Sequence, residues 1–253
     1  MESTAQPSQA SSPSLERPAF YALRPGGWRD LVTVLHPPYT AWNLANVAIG
    51  AALAPHLYPG RLLATLAAFF LAVGVSAHAL DELHGRPLGT TLSSRALIVL
   101  AVASLAGAAA IGAVVAVTIS LTLIPFVVAG VFIVLAYNLE WFGGRFHTTF
   151  WLALSWGVFP VLTSYWINAL EVRPGPLLAA GGCGMLLVVQ RTLSTPVREL
   201  RRRTVSVAGE QVLTDGSTVP LDAARLAAPM ERALQACAVG MVLLATGLVL
   251  ARL

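Results

Sequence analysis

Apolar residues in this chain run on for about 20 positions at a time, broken by short polar segments, with neither strand alternation nor a one-sided helical stripe. Seven such runs lie near 38–56, 61–83, 95–115, 118–139, 148–169, 176–193 and 229–251. A hydrocarbon layer needs about 20 apolar residues of helix at roughly 1.5 Å per residue, so each run predicts one crossing. The third and fourth are almost continuous but too long together for one crossing, which sets a boundary around Val115–Thr118. The expected fold is an all-α polytopic membrane protein of about seven transmembrane helices.

One sizeable polar segment interrupts the pattern. In Thr204–Val207, Gln211–Leu213 and Thr218–Leu221 apolar and polar residues alternate, and Ala208-Gly209-Glu210 and Asp215-Gly216 supply turns. A small β-hairpin or three-stranded meander is expected there, with Asp222 as cap of the helix that follows. The chain then divides into a disordered cytoplasmic tail (1–30), a helical bundle of six spans (31–203), a cytoplasmic hairpin (204–222) and a last transmembrane helix (223–253).

Composition agrees. The 253 residues are 56% hydrophobic and 11% charged, with mean hydropathy +0.72, whereas soluble domains carry about a quarter charged residues. All 16 basic residues are arginine. With the N-terminus inside, the inner segments hold Arg17, Arg24, Arg29, Arg86, Arg95, Arg145, Arg191, Arg198, Arg201, Arg202, Arg203, Arg225 and Arg232, and the outer side Arg61, Arg173 and Arg252. This bias predicts a cytoplasmic N-terminus and an outside C-terminus, in a bacterial or archaeal plasma membrane. The formal charge of +4 gives nucleic-acid binding no support. Cys183 and Cys237 sit in apolar runs and imply no disulfide framework or zinc site. The first 20 residues lack the apolar core of a secretory signal.

Candidate chemistry gathers at the inner ends of the spans. The second span closes on His78, Asp81, Glu82 and His84. On a helix Asp81 and Glu82 share a face with His78 at i+3 and i+4, a set suited to holding a metal or moving a proton. Gly85 and Pro87 stop that helix, so that Arg86 and Thr90 return over its end, where Arg86 is expected to meet an anion. Tyr137, Asn138, Glu140, Arg145 and His147 lie on the same side, between the fourth and fifth spans. Arg191 and Arg198, seven residues apart at the end of the sixth, point to a shared anionic ligand, while the triple arginine 201–203 reads as a lipid-headgroup anchor. Asn43 and Asn46 in the first span serve either interhelical bonding or a polar cavity.

The acidic helix end followed by Arg86-Pro87-Leu88, with Tyr137-Asn138 leading into Ala153-Leu154-Ser155-Trp156-Gly157-Val158-Phe159-Pro160, resembles the UbiA-type intramembrane prenyltransferase superfamily over roughly residues 36–170. The resemblance implies a UbiA-like bundle, an isoprenyl diphosphate substrate, magnesium bridging carboxylates to that diphosphate, and prenyl transfer. Carried over to this chain, His78, Asp81 and Glu82 become the catalytic and metal residues. Asn43, Asn46, Arg86, Tyr137, Asn138, Arg145, Arg191 and Arg198 become the substrate-binding ones. The chain departs from the pattern at three points. His78 stands where the first aspartate of the motif is expected and Gly85 where the third is. Gln190, Arg191, Ser194, Thr195, Arg198 and Glu199 replace the second acidic motif, and the family usually has nine helices.

The leading expectation is a divergent, shortened UbiA-like enzyme acting on an isoprenoid or other lipid (di)phosphate. A terpene cyclase, in which the carbocation is quenched internally, is the alternative within the enzyme class. A non-catalytic lipid-binding or partner-stabilising subunit, with residues 204–222 docking a cytoplasmic protein, is the alternative outside it. A metal- or haem-binding redox protein using His78, His84 and His147 is a further class.

Overall fold

The computed structural model describes residues 17–253, and its long helices run back and forth between two ends of one bundle. Among the described residues six helices are long and apolar enough to cross a membrane: α3 (Pro59–Leu83), α4 (Ser94–Thr118), α5 (Leu121–Asn138), α6 (Thr149–Ala169), α7 (Pro174–Arg202) and α8 (Ala223–Leu250). They are preceded by a short helix α1 (Trp28–Val34) and by α2 (Pro37–Ala52). The expected division near Val115–Thr118 falls at Thr118–Leu121, where Ser120 caps the first turn of α5 through Thr122 N–H.

The first expected run, 38–56, gives a shorter element than its hydropathy suggests. Pro37 and Pro38 start α2, where a missing N–H costs nothing, and the helix ends at Ala52 after 16 residues, about 24 Å. It is the interior helix of the bundle, packed against α6 and α8 and buried along Trp42, Asn43, Asn46, Val47 and Ala51. Its far end is held by Arg252, which donates to the carbonyls of Ala54 and Pro55. At that same end Arg61 donates to Ile167 O, and the side chain of Asn168 accepts from Tyr58 N–H.

Two π-helical stretches interrupt the α-helical pattern, Phe70–Ala77 in α3 and Ala153–Val158 in α6. The second is followed by Pro160. Pro160 lacks the N–H that would bond the carbonyl of Trp156, four residues earlier. Asn43 and Asn46, one turn apart on α2, both donate their side-chain amides to that carbonyl, at 3.1 and 3.0 Å. A carbonyl freed by proline inside an apolar bundle thus finds two donors on a neighbouring helix.

Pro196 does not end α7, which runs unbroken from Pro174 to Arg202, nine residues past the expected end of the sixth run. The polar segment that follows contains two antiparallel strands, β1 (Gly209–Val212) and β2 (Thr218–Leu221), in the register Gly209–Leu221 to Val212–Thr218. Asp215 accepts from Ser217 N–H and Oγ in the turn, and Asp222 caps α8 through Arg225 N–H. Thr204–Val207, expected as strand, is irregular.

The expected tail, 1–30, lies outside the described residues up to position 16. From Arg17 onward the chain is packed: Ala19 and Ala22 are buried against Leu88, and Leu23 N–H donates to Thr33 Oγ1. Asp30, also buried, binds Thr91 through both its N–H and its hydroxyl, and Gly26 N–H as well. Residues 17–27 therefore form a strap across one end of the bundle.

Candidate functional site

Under that strap lies a cavity of about 210 Å³, walled by the ends of α2, α3, α5 and α7, the start of α6, and residues 18–21. Its lower wall is apolar, formed by Trp42, Val73, Ala77, Leu152, Trp156 and Leu187; its upper wall is polar.

The polar wall is built from helix periodicity. Because α7 continues through Pro196, Arg198 and Arg202 stand seven and eleven residues beyond Arg191, and all three fall within roughly 40° of one another on one face at 100° per residue. All three line the cavity, with Gln190 and Ser194 beside them. Arg191 Nη1 donates to Tyr137 Oη at 3.0 Å, and Arg202 Nε donates to Pro18 O in the strap at 3.1 Å. Arg201, turned roughly 60–100° from those three around the helix, pairs with Glu231 of α8 and donates to Arg17 O. The triple arginine is thus divided, with one guanidinium in the cavity and its neighbour in a structural ion pair.

Opposite the arginines, α3 presents His78 and Asp81. His78 stacks on His36 at 4.1 Å between ring centroids, with its Nδ1 near Gly74 O and Thr40 Oγ1. His36 sits at the N-cap of α2 in a left-handed conformation (φ 46°), unusual for a residue with a Cβ. Burial pushes its imidazole well below the ordinary histidine range, and the nearby His78, Arg202 and Arg198 push in the same direction. Tyr21 packs edge-on against Tyr39 and tilted against His36. Burial raises its phenol, as does the neighbouring Tyr39, against the opposing pull of Arg202. From α5 come Tyr137 and Asn138, and from the following loop His147, stacked on Tyr137 at 4.5 Å with Nδ1 3.1 Å from Tyr137 O. Gly143 and Gly144, both at positive φ, let that loop fold back far enough to deliver His147.

Of the residues singled out from the sequence, His78, Asp81, Asn43, Tyr137, Asn138, Arg191 and Arg198 line this one cavity. Four others do not. Glu82 is fully buried on the other side of α3, where Oε2 accepts from Leu88 N–H and Oε1 from Thr90 N–H and Oγ1, each at 2.9 Å. It moors the loop that returns after Gly85. Arg86, at φ 54°, donates to Leu92 O and Ser94 Oγ and fastens the same loop to the start of α4. Arg145 is exposed in the loop after α5. Asn46 is buried one turn deeper than Asn43, on Trp156 O. Sequence reasoning did not select Tyr21, His36, Tyr39 or Arg202, and it gave His147 only to the metal- or haem-binding alternative and Gln190 only to the replaced acidic motif; the signal for Arg202 was its spacing from Arg191, legible only if α7 continues through Pro196.

The metal set expected from His78, Asp81 and Glu82 is not assembled in the cavity. Asp81 is the one carboxylate among the cavity-lining residues, and both oxygens of Glu82 are engaged elsewhere. Among the described residues no group of three or more His, Cys, Asp or Glu is placed to hold a metal ion. Three guanidinium groups against one carboxylate give the cavity a wall of net positive charge, with an apolar floor beneath it. Comparison with known proteins returns no match to a family model, to a curated protein or to a solved structure.

Proposed function

We propose that this protein is an intramembrane enzyme of UbiA-like type that acts on an isoprenoid or other lipid (di)phosphate by prenyl transfer. The observation that carries this reading is the arginine face of α7, Arg191, Arg198 and Arg202, standing across one cavity from His78 and Asp81 above an apolar floor. An amphipathic anion is the ligand whose two halves match those two walls. Arginines suit phosphate because their planar forks donate two bonds at once, and in a partly dry cavity such bonds strengthen.

The chemistry follows from the same walls. When the carbon–oxygen bond of an allylic diphosphate breaks, the electron pair leaves with the diphosphate, whose added charge the arginines stabilise. The cationic carbon is left near the rings of Tyr137, Trp156 and Tyr39, whose π-electrons attract positive charge. An acceptor carbon then forms the new bond and loses a proton, with Asp81 or His78 as the acceptor of that proton. No step is assigned to magnesium.

In this reading α2 is a seventh crossing and the arginine-rich end, with its strap and hairpin, faces the cytoplasm, as the charge bias implies. Native mass spectrometry of gently extracted protein tests the ligand class, and incubation with an isoprenyl diphosphate tests turnover. A co-purifying lipid phosphate with release of diphosphate supports the enzyme; a bound lipid phosphate never turned over supports the non-catalytic subunit. A product formed without any acceptor marks a cyclase, and no phosphate-bearing ligand removes the reading.

A further inference from the structure

The apolar floor of the cavity is also the wall of a second one. A groove of about 90 Å³ lies between α3, α4, α5 and α6, and Val73 and Trp156 line both spaces. The groove is almost wholly apolar, with Gly112 tight against Val127 and Gly130 leaving room beside Phe159, whose ring stacks on that of Phe126 at 6.2 Å. Trp156 is fixed where the two meet. Its carbonyl is clamped by Asn43 and Asn46, its ring lies edge-on to Tyr137 at 5.7 Å, and it packs against three of the bundle's hydrophobic clusters. Tyr137 in turn accepts from Arg191, so the indole is one residue away from the anion-binding face.

We propose that Trp156 is a specificity-determining throat: the aliphatic tail of a ligand whose phosphate lies on Arg191 and Arg198 passes Trp156 and Val73 into the groove, and the indole decides which tails pass. This rests on the lipid-phosphate reading and adds to it the path and shape of the tail. Bilayer lipid is as apolar as the groove, so transfer from water contributes little to discrimination there, and steric fit at the throat decides it. Gly130 is the position at which the groove can be closed. A Cβ built there would sit 3.5 Å from the Phe159 ring, an ordinary contact, so the position admits a side chain whose further atoms narrow the groove beside Phe159.

The test uses the full chain in phosphatidylcholine nanodiscs with two dodecyl phosphate probes, one carrying a diazirine at the tail tip and one next to the phosphate. Labelling competed by unlabelled dodecyl phosphate is mapped by mass spectrometry. The tip probe is expected to label α4 and α5 around Gly112 and Gly130. Gly130→Leu should cut that labelling about tenfold, equivalent to about 1.4 kcal/mol, and leave the head-proximal label unchanged. Trp156→Ala should admit an aryl-tipped probe that the natural residue excludes. Competed tip labelling elsewhere, or equal labelling in Gly130→Leu, overturns the tail path while leaving the phosphate site standing. Absence of any competed head-proximal labelling removes both.

Discussion

Arg191 on α7 donates to the hydroxyl of Tyr137 on α5 at 3.0 Å, a bond that spans 54 positions of sequence and joins the arginine face of the cavity to its aromatic wall. The tyrosine holds the guanidinium in place before a ligand arrives, which lowers the ordering cost of binding. Arg191→Lys keeps the charge but loses the fork, and Tyr137→Phe keeps the ring but frees the arginine. Each is expected to weaken alkyl phosphate binding by about tenfold, the equivalent of one hydrogen bond to a charged group. Binding titrations on the two variants and their combination check this, and the double variant should lose less than the product of the single losses because one bond is removed in all three.

The Asn43 and Asn46 pair on Trp156 O predicts non-additive stability. Replacing either asparagine by alanine leaves the other donor in place and should cost under about 1 kcal/mol of that bonding, whereas the double variant orphans the carbonyl and should cost about 1–3 kcal/mol. Pro160→Ala, which restores the missing backbone donor, should recover part of the loss. Thermal unfolding of the four proteins in one detergent measures it; additive losses with no rescue would separate the asparagines from the proline.

Asp81 and Glu82 are adjacent in sequence and opposite in role. Glu82→Ala leaves Leu88 N–H, Thr90 N–H and Thr90 Oγ1 without their acceptor, so it should destabilise the protein by about 2–4 kcal/mol. Asp81→Asn should leave unfolding unchanged within about 0.5 kcal/mol while abolishing turnover. Unfolding and activity measured on the same preparations distinguish the two.

How much of this was legible in the sequence follows from which signals are local. Apolar run length located the six long helices, because hydropathy alone decides what resides in lipid. It overestimated α2, whose residues are apolar through burial inside the bundle. The spacing of His78 and Asp81 placed both on one helical face, but the same arithmetic put Glu82 with them. The loop returning after Gly85, which binds Glu82 from the far side, is a tertiary feature that no periodicity carries. The apolar run of the sixth span ends at 193 and the triple arginine reads as a headgroup anchor, which concealed Arg202 on the continuing α7. Tyr21, His36 and Tyr39 were not selected because a strap's docking site leaves no periodic trace.

His36 predicts a pH dependence. Its folded-state pKa lies well below 6.5, so above that value both folded and unfolded chains carry it neutral and stability is undiminished. As pH falls below about 6.5 the unfolded chain takes up the proton and the folded one resists, so stability declines. His36→Gln should flatten the decline in midpoint temperature between roughly pH 6.5 and 5, read by thermal unfolding. Asp30, buried yet held below the usual carboxylate range by its bonds to Thr91 and Gly26, contributes in a lower window, losing its contribution only as pH falls through and below about 4.

The central claim is that the arginine face of α7 holds the phosphate of an amphipathic ligand. Its most direct test is saturable binding of radiolabelled dodecyl phosphate to the protein in nanodiscs, compared with the Arg191→Ala/Arg198→Ala double variant and with empty discs. Binding to the unaltered protein that inorganic pyrophosphate displaces, weakened about a hundredfold in the double variant, is the predicted result. Equal binding by the two proteins, or none above empty discs, would contradict it.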